Sequence, residues 1–155
     1  MSQSQVLAAP ALPVLDRLAR PLEPFAEPLV RATIGLFLVP HGAQKLFGWF
    51  GGYGLEATGQ FFASKLGLPA SLALVAGLVE FFGGLALALG LGTRVVALLV
   101  AGLMFVAAIK VHLGAGFFWT AGGYEYPLMW GLVALAFVVR GGGRYSLDAL
   151  IARGR

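Results

Sequence analysis

Four long apolar stretches, Leu29–Phe50, Ala70–Leu91, Val95–Leu113 and Tyr126–Val139, constrain this chain more than any other feature. A hydrocarbon core of roughly 30 Å takes about 20 helical residues to cross, and the first three stretches meet that length. The fourth spans roughly 21 Å at about 1.5 Å per residue, so it must borrow flanking residues, thin the bilayer or sit against its neighbours. Only 12% of the 155 residues are charged and 59% are hydrophobic, with a mean hydropathy of +0.85. A soluble domain carries about twice that charge. The fold class expected is all-α: an integral membrane four-helix bundle.

A polar residue inside a span tests this reading, and the second span holds Glu80. Its eleven Leu, Val and Phe residues contribute roughly −3 to −7 kcal/mol to insertion, against about +3 for one central carboxylate. The span still inserts.

Other classes fall away on charge and residue type. The net charge is +4, yet no basic stripe tracks a phosphate backbone, which argues against nucleic acid as a partner. Cysteine is absent, so disulfides, thiolate nucleophiles and Cys-ligated iron–sulfur clusters are excluded in this chain. Electron transfer then needs a bound cofactor or a second protein.

Orientation follows from the basic residues. With four crossings, Arg17, Arg20, Arg31, Arg94, Arg140, Arg144, Arg153 and Arg155 share one side, and Lys45, Lys65 and Lys110 share the other. The positive-inside rule places both termini of a multi-pass protein in the cytoplasm. Trp49, Trp119 and Trp130, with Phe50, Tyr53, Phe117, Phe118, Tyr124 and Tyr126, fall at the outer interface, where amphipathic rings sit well. Arg31 and the C-terminal arginines read as topology signals.

Three segments result: a proline-containing cytoplasmic segment over 1–28, a membrane domain over 29–150 and a basic tail over 151–155. No basic n-region precedes an apolar core, so a cleavable signal peptide is not expected. In the first segment Leu12, Leu15, Leu18 and Leu22 suit a short interfacial helix, and an unstructured tail fits equally. The connection Gly51–Pro69 is too long for a hairpin turn, and its Leu55, Phe61, Phe62, Leu66 and Leu68 predict an amphipathic helix on the outer surface. A faint internal echo links Phe47–Tyr53 to Phe117–Tyr124, as a 2+2 parallel repeat would; aromatic and glycine bias at an interface produces the same pattern by chance.

The chemistry gathers in the middle and outer half of the bundle. By helical rise His41 lies roughly 15 Å and Lys45 roughly 21 Å above Arg31, while Glu80 lies roughly 15 Å below Ala70. His41, Gln44, Lys45 and Gly48 share one helix face. Glu80 shares a stripe with Ala73, Ala76, Gly77, Gly83, Gly84 and Ala88, small residues that let another backbone approach. Gly83 and Gly84 read as packing residues. Pro40 frees the Leu36 carbonyl beside His41, which predicts a kink there. Lys110 and His112 fall in the outer third, and Glu125 opens the fourth span.

An ionisable residue deep in a bilayer is costly and points to function. Glu80 pairs with Lys45 or Lys110, or stays neutral and takes up protons, while His41 titrates near neutral pH. Such a set suits proton transfer to a quinone-like head group or binding of a small anion. A structural ion pair that fixes helix register, with no ligand, is the plainer alternative. No metal site is expected, since His41 and His112 lack a carboxylate at ligand spacing. Gly141-Gly142-Gly143 ends the fourth helix and is no dinucleotide fingerprint, and Ser146 is placed to cap a short helix after it.

Several segments together resemble the DoxX family of small four-helix bacterial membrane proteins: Arg31 with Gly35, His41-Gly42-Ala43-Gln44-Lys45-Leu46, Gly67-Leu68-Pro69, Glu80-Phe81-Phe82-Gly83-Gly84, Gly92-Thr93-Arg94, Tyr124-Glu125-Tyr126-Pro127 and Ser146-Leu147-Asp148. The resemblance covers about residues 29–150. It implies an inner-membrane four-helix bundle linked to redox systems that deliver electrons to quinone, and it carries no catalytic residue onto this chain.

The leading expectation is a membrane subunit whose interior binds quinone or a small ligand. In it Glu80 carries protons, Lys45 is its charge partner and His41 is a second proton-handling group, with Gln44, Lys110, His112 and Glu125 completing the candidate site. It would act with a partner protein or as a homo-oligomer. The alternatives are a non-enzymatic scaffold that anchors a soluble oxidoreductase through its cytoplasmic tail, and a small-molecule or proton transporter.

Overall fold

A computed structural model describes residues 13–154, and among these the chain forms seven helices and no strand. They are α1 (Pro13–Ala19), α2 (Glu23–Phe47), α3 (Gly54–Leu66), α4 (Leu72–Leu89), α5 (Thr93–Ala115), α6 (Glu125–Arg140) and α7 (Leu147–Arg153). The long helices pack chiefly as two pairs, α2 with α4 and α5 with α6, joined through α4 and α5. Two of them, α4 and α5, are long and apolar enough to cross a membrane.

Helix α2 starts at Glu23, six residues before the apolar run expected from Leu29. Pro24 explains the difference. It stands in the first helical turn, where the N–H it lacks has no partner in any helix, so part of the proline-bearing segment starts a helix. The chain stays helical through Pro28 and Pro40 and stops at Gly48, whose φ of 72° is the left-handed conformation that glycine adopts without strain. The fourth long helix, α6, gains one residue at each end of the expected run and reaches roughly 24 Å. Helix α3 fills the connection between the first two spans, and α1 takes in Leu15 and Leu18, whereas Leu12 and residues 1–11 lie outside the described residues. The basic tail is the end of α7 as far as Arg153.

Small residues set the spacing of α2 and α4. A Cβ on Gly35 would overlap the Gly84 carbonyl, and one on Gly42 would overlap the Phe81 amide, so the backbones touch along this seam. The buried core runs from Ile34 and Leu38 through Leu87, Val100 and Met104 to Phe137. Outward faces are as apolar as the core: Phe37, Val75, Phe82, Leu98, Ile109 and Leu132 are all exposed.

Two arginines tie the pairs together. Arg31, 2% exposed, donates from Nη1 to the carbonyls of Leu87 and Ala88 at 2.8 and 2.7 Å, and from Nη2 to Tyr145 O at 2.7 Å. Arg94 donates to Val138 O and Val139 O at 2.8 and 2.6 Å. Each arginine thus reaches the two carbonyls just before the last residue of a neighbouring helix, and each helix then ends on a glycine with positive φ, Gly90 or Gly141. Carbonyls in a last helical turn run short of backbone donors; of these four, Leu87 O is met also by Gly90 N–H at 3.1 Å, and a cation there complements the helix dipole. The reading of Arg31 as a topology signal missed this work, and Arg94 entered only the count of basic residues on one side.

The same correspondence extends to the echo in the sequence. Trp49–Gly51 and Trp119–Ala121 each form a tight 3-10 turn, closed by Gly52 N–H to Trp49 O and Gly122 N–H to Trp119 O. The α2–α4 pair is thereby matched to α5–α6, with α3 inserted in the first.

Helix α7 folds back onto this end. Ser146 Oγ accepts from Ala149 N–H at 3.1 Å and so caps it. Asp148 accepts from Gly92 N–H, Thr93 N–H and Thr93 Oγ1 at 2.7 to 2.8 Å, capping α5 from outside. Burial pushes its carboxyl upward, but the bonds from Thr93 and Gly92 and the charge of Arg31 outweigh that and hold it below its ordinary value of 3.8.

Two predictions follow from these caps. Replacing Arg31 by Met strands the Ala88 and Tyr145 carbonyls at roughly 1–3 kcal/mol each where they stay dry, while Leu87 O keeps the Gly90 N–H, so the detergent-solubilised protein should lose about 2 kcal/mol or more in thermal unfolding. Arg20→Ala breaks only the exposed pair with Asp16 and should change stability by less than about 1 kcal/mol. For Asp148 the depressed folded value means that its contribution is complete above the unfolded value and vanishes as pH falls through the folded one. Asp148→Asn should therefore lower stability at pH 7 and flatten the loss below about pH 4, measured as melting temperature against pH.

Candidate functional site

The end of the molecule opposite Arg31 holds a cavity of about 850 Å³, large enough for a drug-sized ligand. It opens where α2 and α6 barely touch, and α2, α3, α4, α5, α6 and the two tryptophan turns all line it. Its apolar wall is made by Phe61 and Phe62 of α3, Leu103 and Met104 of α5, and Trp119, Tyr126 and Trp130 beside them. These last three aromatics read in the sequence as interface anchors. Nothing in their spacing separates an anchor from a cavity wall, because both tasks want an amphipathic ring near the helix end.

On its wall Lys45 Nζ stands 2.6 Å from Glu80 Oε2. Glu80 is 5% exposed, while the Lys45 side chain keeps about a quarter of its surface open. The pair forms because the glycine seam brings α2 against α4 at the level of Phe81. Of the two lysines that the sequence offered Glu80, the fold selects Lys45. Glu80 also sits inside a π-helical turn, Val79–Gly83, a widening that interrupts the regular ladder. A second such turn, Ala108–His112, carries Lys110 and His112. Turns of this kind concentrate at functional sites, and no residue pattern in the sequence announced either one.

Six of the seven candidate residues line the cavity: His41, Gln44, Lys45, Glu80, Lys110 and His112. His41 stands one turn before Lys45 on α2. Gln44 donates to Phe50 O at 3.3 Å and holds the first tryptophan turn. His112 Nδ1 lies 2.7 Å from Gly122 O. A carbonyl can only accept, so Nδ1 carries the proton and Nε2 is left for other partners. Lys110 is exposed and makes no ion pair among the described residues.

Glu125 is the exception. It opens α6, but its Oε2 accepts from Trp119 N–H at 3.1 Å, and it stays off the cavity wall. A carboxylate at a helix start is drawn to free N–H groups, and here the adjoining turn supplies one.

Among the described residues no cluster of three or more His, Cys, Asp or Glu could hold a metal. The arrangement can desolvate an apolar ligand, donate hydrogen bonds to it from Lys110 and the histidines, and place a carboxyl group beside it.

A family model described as DoxX matches residues 28–113, more than half of the chain. The chain is 33% identical over 127 residues to a Bacillus subtilis (strain 168) protein named "Putative oxidoreductase CatD", covering 82% of this chain and 87% of that relative. It is 34% identical over 128 residues to an uncharacterized protein of Haemophilus influenzae, covering 81% and 90%. No solved structure matches the chain. The matched segment takes in the Arg31 cap, the glycine seam and the Lys45–Glu80 pair, and this chain belongs to the membrane-associated DoxX family.

Proposed function

We propose that this protein is an inner-membrane subunit of a redox system, crossing the bilayer with α2, α4, α5 and α6 and holding a quinone or similar small ligand in the cavity between them. The membrane placement is supported by outward faces covered in large apolar side chains, which water would penalise and acyl chains would not. Both termini then lie in the cytoplasm, with Arg31, Arg94, Arg140 and Arg144 at that end. The relative named as an oxidoreductase fits a redox role.

One observation carries the ligand reading: six residues singled out by their chemistry, from three different helices, line a single cavity around one buried ion pair. A structural pair alone would need no space beside it. A quinone fits the lining, since a flat ring matches Trp119, Tyr126 and Trp130 and its two carbonyl oxygens match donors such as Lys110 and His112. When bound, it supplies a two-electron acceptor. The electrons come from a partner protein that holds the redox centre, a reading that fits a chain with no cysteine to ligate a cluster. Glu80, paired with Lys45 at rest, accepts and returns a proton at its carboxyl when that pair loosens, and His41 passes protons along the open side of α2. The apolar wall keeps bulk water out.

Two measurements test this. Organic extracts of protein purified in mild detergent should contain quinone, and Glu80→Gln should slow quinone reduction in native membranes by about a hundredfold, the usual size of a lost proton-transfer group. Extracts free of quinone together with an unchanged rate would end the redox reading. Lys45→Met leaves a buried carboxyl without its cation and should reduce stability by about 3 kcal/mol, the lower end for such a loss because Lys45 is partly open.

A further inference from the structure

The charges on the cavity wall do not cancel. Glu80 is the one carboxylate lining it, and its Oε2 is held by Lys45 at 2.6 Å. That pair is neutral as a unit. Lys110 remains, on the same wall, with no carboxylate and no hydrogen-bond partner among the described residues. His112 presents Nε2 with its other nitrogen already committed to Gly122 O, and His41 adds a second imidazole. Beside these groups the wall is aromatic and aliphatic. Lys110 is exposed with its donors uncommitted, and an anion brought to it forms a charge-assisted hydrogen bond while its apolar body covers the neighbouring wall.

We infer that the cavity takes an amphiphilic anion, with a carboxylate or similar headgroup on Lys110 and an apolar body against Trp119, Tyr126 and Trp130. This rests on the ligand-cavity reading above and narrows it to a charge class. The Lys45–Glu80 pair is the floor of the site, not its anchor; a ligand carboxylate bound to Lys45 would displace Glu80 and leave two carboxylates sharing one cation. The headgroup belongs to a free organic acid or to an anionic lipid, which offer the same chemistry.

The test uses the full chain in phosphatidylcholine nanodiscs with Trp49→Phe, so that Trp119 and Trp130 report on the cavity. The probe is 4-nitrobenzoate, with uncharged 4-nitrobenzamide as its isostere. The acid should quench fluorescence saturably and bind about tenfold more tightly than the amide or better, the size of one hydrogen bond to a charged group. Lys110→Gln should remove that preference, Lys110→Arg should keep it, and Lys65→Gln, on α3 away from the cavity, should leave it unchanged. Adding phosphatidylglycerol separates the sources: competition with the probe supports a lipid headgroup, and no competition supports a free acid. Equal binding of acid and amide, or a preference that survives Lys110→Gln, overturns the inference. Menadione, an uncharged quinone, separates the two readings. If it quenches while the acid shows no preference, the anion assignment fails and the cavity stands, and if neither quenches, both fail.

Discussion

A carboxylate buried inside an apolar helix is tolerable only when a cation meets it, and the 2.6 Å contact between Glu80 and Lys45 is where this fold satisfies that requirement. The contact makes demands on everything around it. Lysine on α2 reaches α4 only if the backbones approach closely, which Gly35, Gly42 and Gly84 allow. Glu80 is then held within a π-helical turn. Because α2 packs chiefly on α4 and α5 chiefly on α6, few contacts join α2 to α6, and the cavity lies among the long helices, α3 and the two tryptophan turns.

The opposite end is built from a different device. Arg31 and Arg94 each bind the penultimate carbonyls of a partner helix, and Asp148 and Ser146 supply the N-terminal caps of α5 and α7. One end of the molecule is thus tied by hydrogen bonds between helix ends, with Arg31 Nε and Glu27 Oε1 left buried and unpartnered among them, and the other holds polar groups around a cavity. Hydrogen-bonded scaffold and candidate site are separated along the helix axes, and an arginine cap and a tryptophan turn recur in both helix pairs.

Much of this was legible in the residues. The apolar runs foretold the long helices, the spacing of His41, Gln44 and Lys45 foretold a shared face, and the lone glutamate among small residues foretold an inward carboxyl. Helix starts were harder to read: Pro24 looks like a breaker yet begins α2, because a proline is harmful only where its N–H is needed. Arg31 looked like a flanking charge, since sequence does not show that its guanidinium reaches carbonyls 56 and 57 residues away. Glu125 was grouped with the site on position alone, whereas a neighbouring N–H captured it. The π-helical turns and the cavity itself arise from how helices meet, which no single helix encodes.

The claim beneath the account is that Lys45 and Glu80 act as one coupled unit. A double-mutant cycle in detergent tests it, comparing unfolding free energies of Lys45→Met, Glu80→Gln and the double variant. The account predicts a coupling of about 1 kcal/mol or more, with the double variant more stable than the sum of the single losses implies. Additive losses, with coupling below about 0.5 kcal/mol, would show that the two residues stand close without depending on each other.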